Sequence, residues 1–181
     1  MFDYHSPGLS IGEREIIMER QFNAPRMLMF QVFTRAEHLK RWWAPPPYTL
    51  PVCTIDLRPG GVWHYCMRSP EGQDQWARSV YREIAPPEKL VYTTTFADEQ
   101  ANPIEGMPEH LTTVSFTKKG GKTRVTLRAQ FSSAEALKVA VNIGMPQGVT
   151  ITWAYLIEYV QKLRASLSRS TSFNYKPGEL K

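Results

Sequence analysis

The sequence of 181 residues contains only two cysteines, Cys53 and Cys66. Two cysteines are too few to build a disulfide framework, and no cluster of histidine or cysteine accompanies them at the spacing of a zinc site. The four histidines are scattered as well, with no pair at a metal-binding spacing. We therefore expect two free thiols, no metal and no other cofactor.

Long hydrophobic runs are also missing from the chain. No apolar run approaches the roughly twenty residues that cross a bilayer, and Met1–Ser10 lacks the apolar core of an export signal. The net charge of +5 is too small to indicate nucleic-acid binding. We predict a cytoplasmic protein that contacts neither membrane nor nucleic acid. Because 42% of the residues are hydrophobic, the chain can form one domain with a substantial core.

The segment Met145–Leu167 shows an unambiguous helical pattern of apolar residues. Its apolar residues recur at alternating spacings of four and three, which places them on one stripe of a helix roughly 30 Å long. The stripe consists of Val149, Trp153, Leu156, Val160, Leu163 and Leu167. A stripe of this length needs a partner as wide as a small sheet.

The preceding sequence supplies that sheet as seven predicted strands separated by turn residues. They are Glu13–Phe22, Tyr48–Leu57, Val62–Arg68, Gln75–Ile84, Lys89–Phe96, Leu111–Thr117 and Thr123–Phe131. If Pro59 and Gly60 form the centre of the first hairpin turn, Cys53 lies opposite Cys66, although a bulge would shift this register. The polar segment Ala97–Glu109 is predicted to be a long mobile loop.

Two shorter helical regions complete the prediction. Asn23 is expected to cap a helix or helix pair that ends near Trp43, and Ser132 with Glu135 forms a capping-box pattern for a short helix through Asn142. The predicted fold class is α+β, with a curved antiparallel sheet wrapped around the long helix in a helix-grip arrangement that leaves a cavity. The helix-grip domain is placed at residues 13–167, between flexible segments at 1–12 and 168–181.

Four segments, in this order, resemble one known family. They are Leu39–Pro45, Asp56–Gly61, Tyr81–Val91 and Gly144–Gly148. The chain is similar over about Glu15 to Leu167 to the C-terminal-domain-like family of activators of the heat-shock protein 90 ATPase (AHSA). That family belongs to the START-like (SRPBCC) superfamily with the Bet v 1-like plant allergens, polyketide cyclases and lipid carriers. The resemblance implies the helix-grip fold.

The chain departs from the family pattern at two positions. The family often has tryptophan directly after the glycine equivalent to Gly148, where this chain has Val149, and Trp153 occupies a position usually held by leucine. We expect the missing volume at Val149 to remain as a void that enlarges the pocket near the start of the helix. The eukaryotic activators also carry a separate N-terminal domain, for which the residues ahead of Glu13 are too few.

The candidate ligand-binding site is the aromatic face of the predicted sheet and the helix above it. These side chains could line a cavity for an apolar or aromatic ligand, or they could fill the core, as aromatic stripes usually do. Either Trp43 or its neighbour Trp42 is expected to border the cavity, while the other is a buried anchor. The candidate lining residues are Trp43, Trp63, Tyr65, Met67, Tyr92, Thr94, Phe96, Val114, Phe116, Val149, Trp153 and Leu156.

The sequence shows no nucleophile beside a base and no paired carboxylates, so no catalytic residues are assigned. The function predicted first is binding of a small apolar or aromatic molecule, by a monomer or homodimer. A chaperone-interacting protein that resembles the ATPase activators is the alternative, and a polyketide cyclase-like enzyme is the second alternative. A buried histidine or carboxylate that faces a void would favour the enzyme.

Overall fold

The computed structural model describes residues 6–172, which form one sheet and four helices. The strands are β1 (Leu9–Ile11), β2 (Glu15–Phe22), β3 (Thr49–Ile55), β4 (Val62–Arg68), β5 (Asp74–Ala85), β6 (Lys89–Ala97), β7 (His110–Lys119) and β8 (Lys122–Phe131). The helices are α1 (Arg26–Thr34), α2 (Ala36–Trp42), α3 (Ala134–Asn142) and α4 (Met145–Ser172). All seven predicted strands are present, and the α+β helix-grip prediction is confirmed.

The sheet is antiparallel throughout, in the order β1-β2-β8-β7-β6-β5-β4-β3. Strands β3 to β8 follow one another as a meander, and β2 pairs with β8 although the two strands are far apart in the sequence. Alternate residues of each strand face the helices. The residues of β6 and β7 that lie on this inner face include Leu90, Tyr92, Val114 and Phe116, all of which are buried.

Helix α4 covers the inner face with the first part of its predicted stripe. Trp153, Leu156 and Val160 are buried, whereas Leu167 is 48% exposed. The helix continues to Ser172, so the prediction of a flexible tail from residue 168 is wrong for residues 168–172. Residues 173–181 of that predicted tail lie outside the described residues.

The start of the chain also differs from the prediction. Leu9–Ile11 form an edge strand that pairs with β2, so the prediction of a flexible segment over residues 1–12 is wrong there. The residue that precedes β1, Gly8, has a φ of +82°, and a Cβ at Gly8 would clash with the Glu19 carbonyl oxygen. This close approach holds the first turn against β2, and only glycine permits it.

Both predicted helix caps are displaced. Helix α1 begins after Pro25, which has extended backbone angles, and Asn23 caps nothing. The chain stays extended there because Thr123 Oγ1 donates a hydrogen bond of 2.6 Å to the Ala24 carbonyl oxygen. Helix α3 is capped by Ser133, whose Oγ accepts a hydrogen bond from the Ala136 N–H, rather than by Ser132.

The cysteines do not face each other. The register of the β3–β4 hairpin pairs Cys53 with Tyr65 and Val52 with Cys66, which puts the two thiols on opposite faces of the sheet. Cys53 belongs to the main core cluster and Cys66 does not, although both are buried and free. Both thiols are free, as expected, and the turn is not centred on Pro59 and Gly60, which was the condition for the cysteines to lie opposite each other.

Thiol labelling is expected to be slow in the native protein, because both sulfur atoms are buried and burial raises the pKa of both thiols. Two thiols should react rapidly after denaturation without reductant. A thiol-reactive chromophore added to native and to denatured protein measures both rates. A count of zero on protein of monomeric mass would contradict this expectation.

Candidate functional site

A cavity of about 300 Å³ lies between the sheet and the beginning of α4. Its walls come from the end of β4, the start of β5, the end of β6, the start of β7 and the end of β8, which meet at one end of the antiparallel sheet. Gly144, Met145 and Val149 line it from the side of the helix. Gln75, Ile143 and Gly148 line the cavity and are exposed, so they mark its opening to solvent.

Eight of the twelve candidate residues line this cavity. They are Trp43, Tyr65, Met67, Tyr92, Thr94, Phe96, Val149 and Trp153. The strand residues among them lie on the inner face because of the alternation along each strand. The cavity lies beside Val149, and the Trp153 ring packs against Phe22 and Phe33, at centroid distances of 6.0 and 6.1 Å.

The other four candidates, Trp63, Val114, Phe116 and Leu156, are packed into the core and do not line the cavity. Rings from α1 fill this half of the space. Phe30 and Phe33 meet Phe116 at centroid distances of 5.7 and 5.4 Å. Trp63 lies behind the cavity wall, with its ring 4.7 Å from that of Trp43 and 4.8 Å from that of Tyr65. The candidate set was therefore too large, because α1 occupies one end of the sheet.

Several lining residues were absent from the candidate set. They include Gln75, Ala77, His110, Thr112, Leu127, Phe131, Ile143, Met145 and Thr152. His110 and Thr112 share the inner face of β7 with Val114, since inward positions recur every second residue. That alternation was the available signal, but the predicted strand began at Leu111 and its polar residues were not considered.

The two adjacent tryptophans have different roles. Trp43 lines the cavity and is half-buried, whereas Trp42 has no exposed surface. Trp42 Nε1 donates a hydrogen bond of 3.1 Å to the Val32 carbonyl oxygen, and its ring packs on Phe33 at a centroid distance of 4.9 Å. Trp42 is thus the anchor that joins α2 to α1, and Trp43 is the residue that borders the cavity.

The imidazole of His110 lies in the cavity wall between two strands. In the sheet register, His110 pairs with Thr94 of β6 and with Phe131 of β8, and its ring centroid is 5.3 Å from that of Phe131. Burial lowers the pKa of His110 to about 4, because an imidazolium loses hydration there without gaining an anionic partner. The ring is therefore neutral at pH 7 and carries one N–H donor and one acceptor nitrogen.

Hydroxyl groups supply most of the remaining polarity of the wall. Thr94 Oγ1 and Ser79 Oγ share a hydrogen bond of 2.7 Å. Burial raises the pKa of Tyr65 to about 12 and also raises the pKa of Tyr92, so both phenols stay neutral. Among the described residues, no aspartate, glutamate, lysine or arginine lines the cavity. The site is uncharged and mostly apolar, with a few hydrogen-bonding groups.

Metal ligands do not gather at this site or elsewhere in the part of the chain that the structure describes. Within residues 6–172, no group of three or more histidine, cysteine, aspartate or glutamate side chains is placed to hold a metal ion. Over the same residues, the helices are all too short or too polar to cross a membrane.

A curved antiparallel sheet closed over a long helix, with a cavity between them, defines a helix-grip protein. The family model for "Activator of Hsp90 ATPase homolog 1-like protein" matches residues 23–161. The chain therefore belongs to this family, as the four sequence segments predict.

Solved structures share this fold. The crystal structure of protein Ms6760 from Mycobacterium smegmatis is 27% identical, covers 86% of this chain and 94% of its own, and has a TM-score of 0.76. Protein NE0264 from Nitrosomonas europaea is 23% identical over 86% and 99% of the two chains, with a TM-score of 0.74. A solution structure from Arthrobacter aurescens is 23% identical over 85% and 91%, with a TM-score of 0.77. No functionally curated protein matches the chain.

Proposed function

We propose that the protein binds a small, uncharged, apolar or aromatic molecule in the cavity between the sheet and α4. The observation that carries this proposal is the composition of the wall, in which aromatic and aliphatic side chains surround a few neutral polar groups. Ligand sites of roughly 300–1,000 Å³ are usually built in this way, and the cavity of about 300 Å³ is at the lower end of that range.

The absence of a packed filling at this end of the sheet supports the proposal. At the opposite end of the sheet, the side chains of Phe30, Phe33 and Leu156 are buried and fill the space beneath the helices. Large side chains can therefore close this space in the fold. Val149 and Gly148 leave it open at the start of α4. An open apolar volume loses dispersion contacts unless another molecule supplies them, and an apolar ligand would do so.

Titration with an apolar naphthalene dye tests the proposed function. The wild-type protein should enhance and blue-shift the fluorescence of the dye with one site per chain. Native mass spectrometry of freshly purified protein reports co-purified ligand and the number of chains per particle in the same spectrum. If the native protein gives no saturable dye signal, the cavity is not an apolar binding site.

A cyclase-like enzyme is the second candidate, and His110 is the observation that favours it, because this histidine faces the cavity. Two features favour binding instead. A pKa of about 4 makes His110 a weak base at neutral pH, and among the described residues no carboxylate orients its ring. An enzyme would convert the bound molecule on incubation, which chromatography of the released molecule would detect even where cyclisation leaves its mass unchanged.

The family to which the chain belongs suggests a chaperone partner as a further candidate. Salt-sensitive capture of a heat-shock protein 90 chaperone by the immobilised protein, together with stimulation of its ATPase, would support that function. We propose that either function is carried out in the cytoplasm, where the two free thiols would stay reduced.

A further inference from the structure

We infer that His110 is the hydrogen-bonding anchor of the cavity and that the ligand is an uncharged aromatic molecule that carries a hydroxyl group. This inference rests on the proposed binding function and adds the polar group that the ligand must present. The hydroxyl group would donate its proton to the unprotonated nitrogen of the His110 ring.

The hydrogen bonds of the described histidines set His110 apart. His38 Nδ1 lies 2.7 Å from the Tyr159 hydroxyl, and His64 Nε2 lies 3.0 Å from the Asp98 carbonyl oxygen. Among residues 6–172, His110 is the one histidine whose ring has no such partner. The ring lines the cavity, so its nitrogens are open to a ligand or to a water molecule.

The position of His110 suits a fixed anchor. It is the first residue of β7 and is held in register by β6 and β8 on either side. A group on a strand is placed more precisely than a group on a loop. The ring of Phe131, 5.3 Å away, offers an aromatic surface on which a flat ligand can pack beside the imidazole.

The charge of the wall excludes other ligand classes. A carboxylate or phosphate ligand would lose its hydration and meet no cation, because the described lining residues include no lysine or arginine. An ammonium ligand would meet no carboxylate. A plain hydrocarbon would leave the imidazole unpaired, which costs free energy when the site is closed to water.

A hydroxyl group satisfies the site better than an ether or a carbonyl. The neutral imidazole has one acceptor nitrogen and one N–H donor. An ether or a carbonyl could only accept from the N–H, whereas a hydroxyl group can donate to the acceptor nitrogen and its oxygen can still accept a hydrogen bond. Thr112 lies two residues along β7 on the same face and also lines the cavity. Its hydroxyl makes no side-chain hydrogen bond to another described residue, so it is free to donate to the oxygen of the same ligand group.

Three probes of similar size test the inference: naphthalene, 2-methoxynaphthalene and 2-naphthol. The wild-type protein should bind 2-naphthol about tenfold more tightly than 2-methoxynaphthalene, as expected for one net hydrogen bond in a dry site. In His110→Phe the affinities for 2-naphthol and 2-methoxynaphthalene should become equal. His64→Phe is the matched control, because His64 lies outside the cavity, and it should retain the wild-type preference.

Two further measurements separate a ligand contact from a structural role. The ring nitrogen resonances of His110 should shift when 2-naphthol is added and stay unchanged with naphthalene. His110→Gln, which keeps an acceptor oxygen, should retain part of the preference. His110→Leu, which has no acceptor, replaces His110→Phe if that variant fails to fold, and it should lose the preference.

The outcomes test the role of His110 separately from the proposed binding function. If the wild-type protein binds none of the three probes, the proposed binding function is wrong. If it binds all three with equal affinity, or if His110→Phe keeps the preference for 2-naphthol, the function stands and the role of His110 is wrong.

Discussion

Replacing Val149 by tryptophan is expected to abolish the binding of apolar probes while the protein stays folded. Val149 lines the cavity and is only half-buried, so the indole can enter the open volume instead of displacing packed neighbours. Its cost should therefore lie below the roughly 1–3 kcal/mol of an overpacked core. Dye titration should show at least a hundredfold loss of affinity, and thermal denaturation should show a nearly unchanged midpoint.

Ile151→Trp is the matched control for this experiment. Ile151 lies two residues further along α4 and is 50% exposed, so a tryptophan there adds the same surface outside the cavity. This control should bind the dye like the wild-type protein. If Val149→Trp unfolds or precipitates while Ile151→Trp does not, the space beside Val149 is already filled and the cavity is not available to a ligand.

Replacing Trp42 by alanine is expected to lower the stability of the protein strongly. This change removes a fully buried indole and leaves the Val32 carbonyl oxygen without its donor. Large-to-small changes of this kind cost about 3–5 kcal/mol. In a protein of this size the melting temperature should fall by about 6–20 °C, which circular dichroism measures directly.

Trp43→Ala provides the comparison, because the same residue type is removed one position later. Trp43 is half-buried and contributes to the cavity wall. Its removal should lower the free energy of unfolding by only about 1–2 kcal/mol, and its main effect should be a weaker affinity for the dye. Equal losses of stability in the two variants would contradict the assignment of Trp42 as anchor and Trp43 as cavity residue.

The sequence predicts well those parts of the fold in which a pattern of apolar residues repeats several times. The stripe from Val149 to Val160 specifies one face of α4, because each of its positions repeats the same helical angle. The strands are equally clear, since Trp63, Tyr65 and Met67 alternate with polar residues on one strand. A repeated pattern averages over single exceptions, which explains why the fold class and the helix-grip arrangement are confirmed.

Features that depend on one residue are less predictable from the sequence. Asn23 does not cap α1, because the Ala24 carbonyl oxygen accepts a hydrogen bond from Thr123, 99 residues away. Ser132 does not cap α3, because the next serine, Ser133, is the residue at which that helix begins. The cysteine register differs by one residue from the expected one because the β3–β4 turn is centred on Pro59, so that Ile55 pairs with Trp63 and Cys53 with Tyr65. No local pattern encodes such contacts between distant parts of the chain.

The candidate site was predicted in part for the same reason. Strand alternation identifies the aromatic residues on the inner face of the sheet. It does not show that α1 packs against some of these residues and fills the space above them. Phe116 faces inward as predicted and meets Phe30 and Phe33 rather than a cavity. His110 was missed because a polar residue at a strand end gives no hydrophobic signal.

The pairing of β2 with β8 has a consequence for synthesis on the ribosome. Glu15 and Arg128 form an ion pair across these strands although they are 113 residues apart, and α4 follows every strand of the sheet. While the chain emerges, the meander β3–β7 therefore has neither its neighbour β8 nor the helix that covers its apolar face. Unpaired edges and exposed apolar surface favour aggregation. Nascent chains that stop before Met145 should consequently depend on holding chaperones, and release of the α4 segment should end that dependence.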